Sequence, residues 1–214
     1  MAREKNQGAL VRNRQKEARQ ADILSSAIAV IARRGYHRTR ISDIAQEAGV
    51  AYGLVYHYFG SKENILVSIF ENIWERFGHR IERISASKKT TVEKLTEISD
   101  YMLDTCIARP DLIRLLVQEV VRGNNIENFP EMEIVKKIIG MIENIFRRGI
   151  ESGELRKESD PRLLSFAFFG SMETVLFAIT MDMYGKEMNS RRIKQLKAKL
   201  RIFIEGGSFG NNPG

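Results

Sequence analysis

Tyr52, Tyr56, His57, Tyr58 and Lys62 fall in one short stretch of the chain. Phenol hydroxyls, an imidazole and an ammonium are donors and cations, and no nucleophile stands beside a base among them. Their chemistry is recognition: such groups hold phosphate oxygens, and an exposed ring or imidazole can meet a base edge. Reactive groups are sparse elsewhere. The three histidines (His37, His57, His79) are scattered and Cys106 is the one cysteine. No ordered nucleophile–base pair and no glycine-rich phosphate loop occurs. Glu75 and His79 stand four apart and could share a metal, although an exposed ion pair is the plainer reading of that spacing. An enzyme is therefore not expected, nor a cofactor or metal site.

The charge points the same way. Residues 1–62 hold eleven Lys/Arg against five Asp/Glu, whereas the remainder is close to neutral. A basic N-terminal part is an electrostatic footprint for nucleic acid, with a merely soluble basic surface as the alternative. Arg12, Arg14, Lys16 and Arg19 read as an arm that follows DNA or as a solvated tail. A lone thiol and a polar N-terminus with no signal-peptide core lead to a cytoplasmic location. The apolar run Leu163–Met181 approaches membrane length but carries Glu173 at its middle. A central acid in lipid costs about 2.5–3.5 kcal/mol, so a buried helix is expected there and no membrane.

Elements that position these groups read as helices throughout, giving an all-α fold. Ile23, Leu24, Ala27, Ile28 and Ile31 recur at helical spacing from about Arg14 to Arg34, and Gly35 ends that helix. Ser42 is the expected N-cap of a short second helix. Gly49 breaks it, Val50 plugs the turn, and a third helix runs from about Tyr52 to Phe59. Ile65, Leu66, Ile69, Ile73, Trp74 and Phe77 stripe a long helix from 61 or 62 towards Ser87, followed by a linker to Thr91. Later helices are expected at about 92–108, 111–122, 131–152, 160–184 and 190–205, with the loop GNNIENFP between the second and third of them. The division expected is a reading head over 1–62, a larger helical domain over 63–206 and a disordered tail over 207–214.

Two short helices joined by a tight glycine turn are the physical recipe for a helix-turn-helix. The full string TRISDIAQEAGVAYGLVYHYFGSKENIL, residues 39–66, resembles the DNA-binding signature of the TetR family of repressors. The Tyr-x-Tyr-Phe-x-x-Lys-Glu core stands at 56, 58, 59, 62 and 63. The resemblance implies a nine- or ten-helix dimer that binds double-stranded operator DNA through helices one to three. It further implies that helix four links the domains and that the last two helices pair with their copies. Small molecules generally enter the C-terminal core and change the separation of the heads. In that family, positions matching Thr39, Tyr56, Tyr58 and Lys62 commonly touch phosphates.

Tyr52, Gly53, Leu54 and His57 project from the start and outer face of the third helix and are assigned to the major groove. Gly53 lets the backbone come close, and Leu54 would make an apolar contact such as one to a thymine methyl. Val50, Val55 and Phe59 are the buried side. Ala51 departs from the family, where a serine often caps this helix; losing that cap costs on the order of 1 kcal/mol. Tyr56 and Tyr58 could instead be core aromatics, and His57 an ordinary exposed residue.

The 161–184 helix is apolar nearly all round, so it must be covered on most sides. In a homodimer it would pack on its twin and on 190–205, where Ile193, Leu196, Leu200 and Ile204 recur. Methionines and phenylalanines suggest an adaptable apolar pocket for a small hydrophobic effector, lined by Met102, Phe169, Met172, Glu173 and Phe177. A plain core is the alternative. This half is also loosely similar to repressors of fatty-acid degradation that release DNA on binding acyl-CoA, which implies an acyl chain in that pocket and Arg122 or another arginine at its polar head.

Overall fold

A computed structural model describes residues 2–122, 131–185 and 189–208, with side chains over 13–116, at 133, and over 135–185 and 189–206. The elements are α1 (Ala2–Arg34), α2 (Ile41–Glu47), α3 (Tyr52–Phe59), α4 (Lys62–Ser85), α5 (Thr91–Ala108), α6 (Pro110–Arg122), α7 (Glu131–Glu151), α8 (Pro161–Thr180) and α9 (Ser190–Phe203), followed by a π-helical turn, Ile204–Ser208. The fold is all-α, with nine α-helices and no strand among the described residues. The tail begins inside that turn, and residues 209–214, like the 123–130 loop, lie outside the described residues.

Two compact units form, Met1–Phe70 and Glu71–Gly214. Residue 62, where the composition divides, is the first residue of α4, and α4 itself runs on through the junction of the units. In the first unit α2 packs on α1 and α3 on α2. Ile23, Ala27, Ile31, Ile44, Val55 and Ile65 are wholly buried there. The isoleucine and valine side chains among them contribute roughly 1.5–3 kcal/mol each, which suffices to hold two short helices that could not stand alone.

α1 starts at Ala2, not near Arg14, so the basic arm is a helical extension with Arg14, Lys16 and Arg19 exposed on it. Its strong helix formers explain this without an apolar stripe. Gly35 closes α1 at φ 82° with its N–H on the Ile31 carbonyl at 2.7 Å. Gly49 makes the turn between α2 and α3 at φ 63°, a region costly for any residue with a Cβ.

α2 is capped by Arg40, not by Ser42. Asp43 accepts the Arg40 backbone N–H at 2.9 Å. An arginine side chain has no acceptor to return, so only this half of a capping box exists. Arg33–Glu47 (2.5 Å) and Arg34–Asp43 (2.8 Å) tie α1 to α2.

In the second unit α5 contacts α6, α7, α8 and α9, and α7 packs along α8. Leu95, Ile98, Leu103, Ile138, Ile142, Phe146 and Phe168 form its centre. Side-chain caps fix the helix starts: Thr90 accepts from Glu93 N–H, Asp160 from Arg162 and Leu163, and Asn189 from Arg192. By length and composition α8 could cross a membrane, with a mean hydropathy of 1.7. One side of it, with Phe168, Phe169, Met172, Leu176 and Ile179, is buried in this core. The helix ends at Thr180, earlier than periodicity suggests, because Asp182 turns the chain at φ 56°.

Candidate functional site

α3 has two unlike faces. Val55 and Phe59 are buried, at 0% and 8% exposure, and lock the helix to the first unit's core. On the other side Tyr52 and Tyr56 are 54% and 56% exposed and lie parallel, ring centroids 6.4 Å apart. His57 and Gly53 are exposed as well, and a Cβ added to Gly53 would meet open space. Leu54, Tyr58 and Val50 are half-buried. A stacked, solvent-facing tyrosine pair is not a core feature, so the core alternative fails for Tyr56. The N-cap position, Ala51, makes no side-chain cap.

Two expected phosphate groups are used internally. Thr39 is 1% exposed, and its hydroxyl donates to the Gly35 carbonyl at 2.9 Å. It therefore braces the turn after α1 and is withdrawn from any surface, which corrects its assignment. Lys62 is half-buried, its Nζ donating to the Tyr36 carbonyl at 3.0 Å and standing 4.3 Å from the Tyr36 ring centroid. An ammonium has three donors, so this bond leaves two N–H groups. Arg38 and Arg40 are exposed at the start of α2. Sequence reasoning missed them, although both count in the charge excess that signals the head.

Two acids of this unit, Asp43 and Glu63, are favoured in their ionised form. The Arg40 backbone N–H, with the Arg34 guanidinium beside it, keeps the Asp43 carboxyl below the usual range. Glu63 is likewise lowered, by its own backbone N–H first and then by the hydroxyls of Ser61 and Tyr36.

The second unit contains a cavity of about 300 Å³. Four residues singled out from the sequence meet there: Met102, Phe169, Glu173 and Phe177. Met172 does not line it; at 1% exposure it is packed in the core, on the same side of α8 as the lining residues Phe169 and Leu176. The side chain of Arg122 lies outside the described residues. The wall that sequence reasoning missed is α4, with Ile73, Trp74 and Phe77, together with Tyr101 and Ile113. Trp74 stands 6.3 Å from Phe169, and Phe77 stacks on Tyr101 at 6.0 Å.

Polar atoms in the wall are largely spent on their own helices. Thr105 donates to the Tyr101 carbonyl at 2.8 Å and Thr174 to that of Gly170 at 2.9 Å. Glu173 is the one carboxylate, and no Lys, Arg or His is among the lining residues described. Desolvation pushes its carboxyl above the usual range. Burial also pushes the Cys106 thiol up, which makes it a poor nucleophile. His79 pairs with Glu82 at 3.7 Å, and no metal-like cluster occurs among the described residues.

A third feature is apolar surface. Leu163 (65%) and Phe166 (48%) on α8 and Ile202 (66%) and Phe203 (44%) on α9 are exposed. α8 is thus not covered all round within one subunit.

Two family models match the chain: "Bacterial regulatory proteins, tetR family" over residues 23–69, and "Tetracyclin repressor-like, C-terminal domain" over 92–201. The fatty acid metabolism regulator protein of Bacillus subtilis (strain 168) is 32% identical over 170 residues, covering 79% of this chain and 87% of that protein. The crystal structure of the B. subtilis transcriptional regulator FadR in complex with stearoyl-CoA superposes with a TM-score of 0.77 at 29% identity, covering 88% of this chain and 98% of that one. The fatty acid degradation regulator FadR of Bacillus halodurans gives 0.77 at 26% identity, with the same coverage.

Proposed function

The chain belongs to the TetR family of bacterial regulatory proteins, and we propose that it is a cytoplasmic homodimeric repressor that an acyl-CoA releases from its operator. It is a DNA-binding transcriptional regulator, not an enzyme. The observation that carries the reading of the head is α3 itself, anchored by Val55 and Phe59 while Tyr52, Gly53, Tyr56 and His57 face solvent. Set in the major groove, Tyr52, His57 and Leu54 would meet base edges, and Gly53 would let the backbone approach. Tyr56, Tyr58, the remaining N–H groups of Lys62, and Arg38 and Arg40 would hold the phosphates on either side.

Dimerisation is supported by the exposed Leu163, Phe166 and Ile202, since apolar surface of this kind marks an interaction site. A two-fold dimer suits a palindromic operator. The cavity supports an apolar effector. A tightly bound acyl chain would have to favour one state of the dimer over another, because a ligand with equal affinity for both shifts nothing. In the DNA-bound state the heads would sit about 34–36 Å apart, one helical turn. α4 supplies a physical link, since one continuous helix carries Lys62 in the head and Trp74 in the cavity wall.

Selection from random duplexes tests the reading. Recovery of a palindromic site whose affinity falls with salt, and further falls on adding stearoyl-CoA, is the expected result. Equal binding to selected and scrambled duplexes would remove the repressor reading. Release that fails with stearoyl-CoA alone would remove the effector.

A further inference from the structure

The electrical character of the cavity is as informative as its shape. Trp74, Tyr101, Thr105 and Thr174 carry its polar groups besides Glu173, and both threonine hydroxyls are already donating to backbone carbonyls. Arg80 stands by Tyr101, its guanidinium 5.7 Å from that ring centroid and bonded to Glu97 at 2.8 Å. It does not line the cavity and is already paired with an acid. Among the described lining residues, a ligand in this space therefore meets apolar walls and one acid.

We propose that Glu173 makes the cavity a charge filter: it excludes chains that end in a free carboxylate and admits those whose carboxyl is masked as a neutral thioester, ester or amide. The inference rests on the effector reading above and names the residue that would set its specificity. A carboxylate brought beside Glu173 is repelled by its like charge, and the exposure of Glu173 keeps that repulsion modest through solvent screening. A preference of about 10- to 100-fold for the neutral chain is the expected size. A regulator built this way would respond to the activated form of a fatty acid and stay silent to the unactivated acid.

Trp74 is the only tryptophan in the chain and lines the cavity, so its fluorescence reports occupancy directly. Decanoic acid and decanamide are titrated into the full-length protein, into Glu173→Gln and into Glu173→Leu. Glu173 is exposed on α8, so both variants should fold, as thermal unfolding would verify. Wild type should bind the amide at least about tenfold more tightly. Both variants should tighten the acid and leave the amide within a few-fold, closing the gap.

Equal binding of acid and amide by wild type overturns the proposal, as does a gap that survives in both variants. Tightening in Glu173→Gln alone also overturns it, since a new amide hydrogen bond would then be the cause rather than relief of repulsion. If neither chain perturbs Trp74 in any of the three proteins while stearoyl-CoA still releases operator, the cavity is not the effector site and the filter falls with it. If stearoyl-CoA also fails, the effector reading itself is lost.

Discussion

Tyr52 and His57 stand on the exposed side of α3, whereas Tyr58 and Lys62 stand nearer its anchorage, and their replacements should differ in kind. Tyr52→Ala or His57→Ala should cost about 1–3 kcal/mol on the preferred operator and relax preference at particular bases, read by competition among single-base operator variants. Lys62→Gln should weaken all duplexes alike and lower the salt slope by about 1. Asp43 predicts a pH effect. Its folded carboxyl is held below the usual value of about 3.9, so its contribution to stability is present above that value. It is lost as pH falls through the lower folded value. Asp43→Asn should flatten this acid limb in urea melts recorded between pH 5 and pH 2, whereas an unchanged limb would exclude Asp43 as its source. The outward tyrosines and histidine were legible because α3 is short and its apolar positions leave one face for DNA. The role of Thr39 was not: its hydroxyl is taken by Gly35 only once the turn after α1 has closed over it.

At the scale of elements, the α5–α7 contact is tight where Gly149 passes Thr91. A Cβ at Gly149 would collide with the Thr91 hydroxyl and crowd Leu155 at 3.1 Å. Next to it Glu154 accepts the Thr91 backbone N–H at 2.6 Å, so neither partner can retreat without losing a bond. Gly149→Ala should thus destabilise by about 1–3 kcal/mol although alanine is the better helix former. A thermal midpoint that rises would contradict the packing described. A helix stop written in local chemistry, Gly35 after α1, was readable. The N-terminal reach of α1 was not, because its polar residues carry no apolar period. Nor was the α4 wall of the cavity: Ile73, Trp74 and Phe77 recur at the same helical spacing whether they fill a core or surround a space.

At the scale of the whole molecule, α4 runs through both units, and the proposed dimer would use the apolar faces of α8 and α9. Leu163→Glu combined with Ile202→Glu should shift the protein to monomer in sedimentation at micromolar concentration and lower operator affinity by at least tenfold. Both sites are exposed, so each subunit should keep its fold. A variant that stays dimeric would place the interface elsewhere. That an α8 apolar on all sides needs covering was apparent from composition. Which residues one subunit leaves uncovered was not, since that depends on where α5, α6 and α7 lie against it.

Whether each subunit lays α3 in a major groove is read from a hydroxyl-radical footprint on the selected operator with wild type and with Tyr52→Ala/His57→Ala. Two symmetric protected half-sites on one face of the duplex, about one helical turn apart, are expected, with their loss in the double variant. Protection that is unchanged by the double variant, or that covers the duplex without symmetry, would contradict that placement.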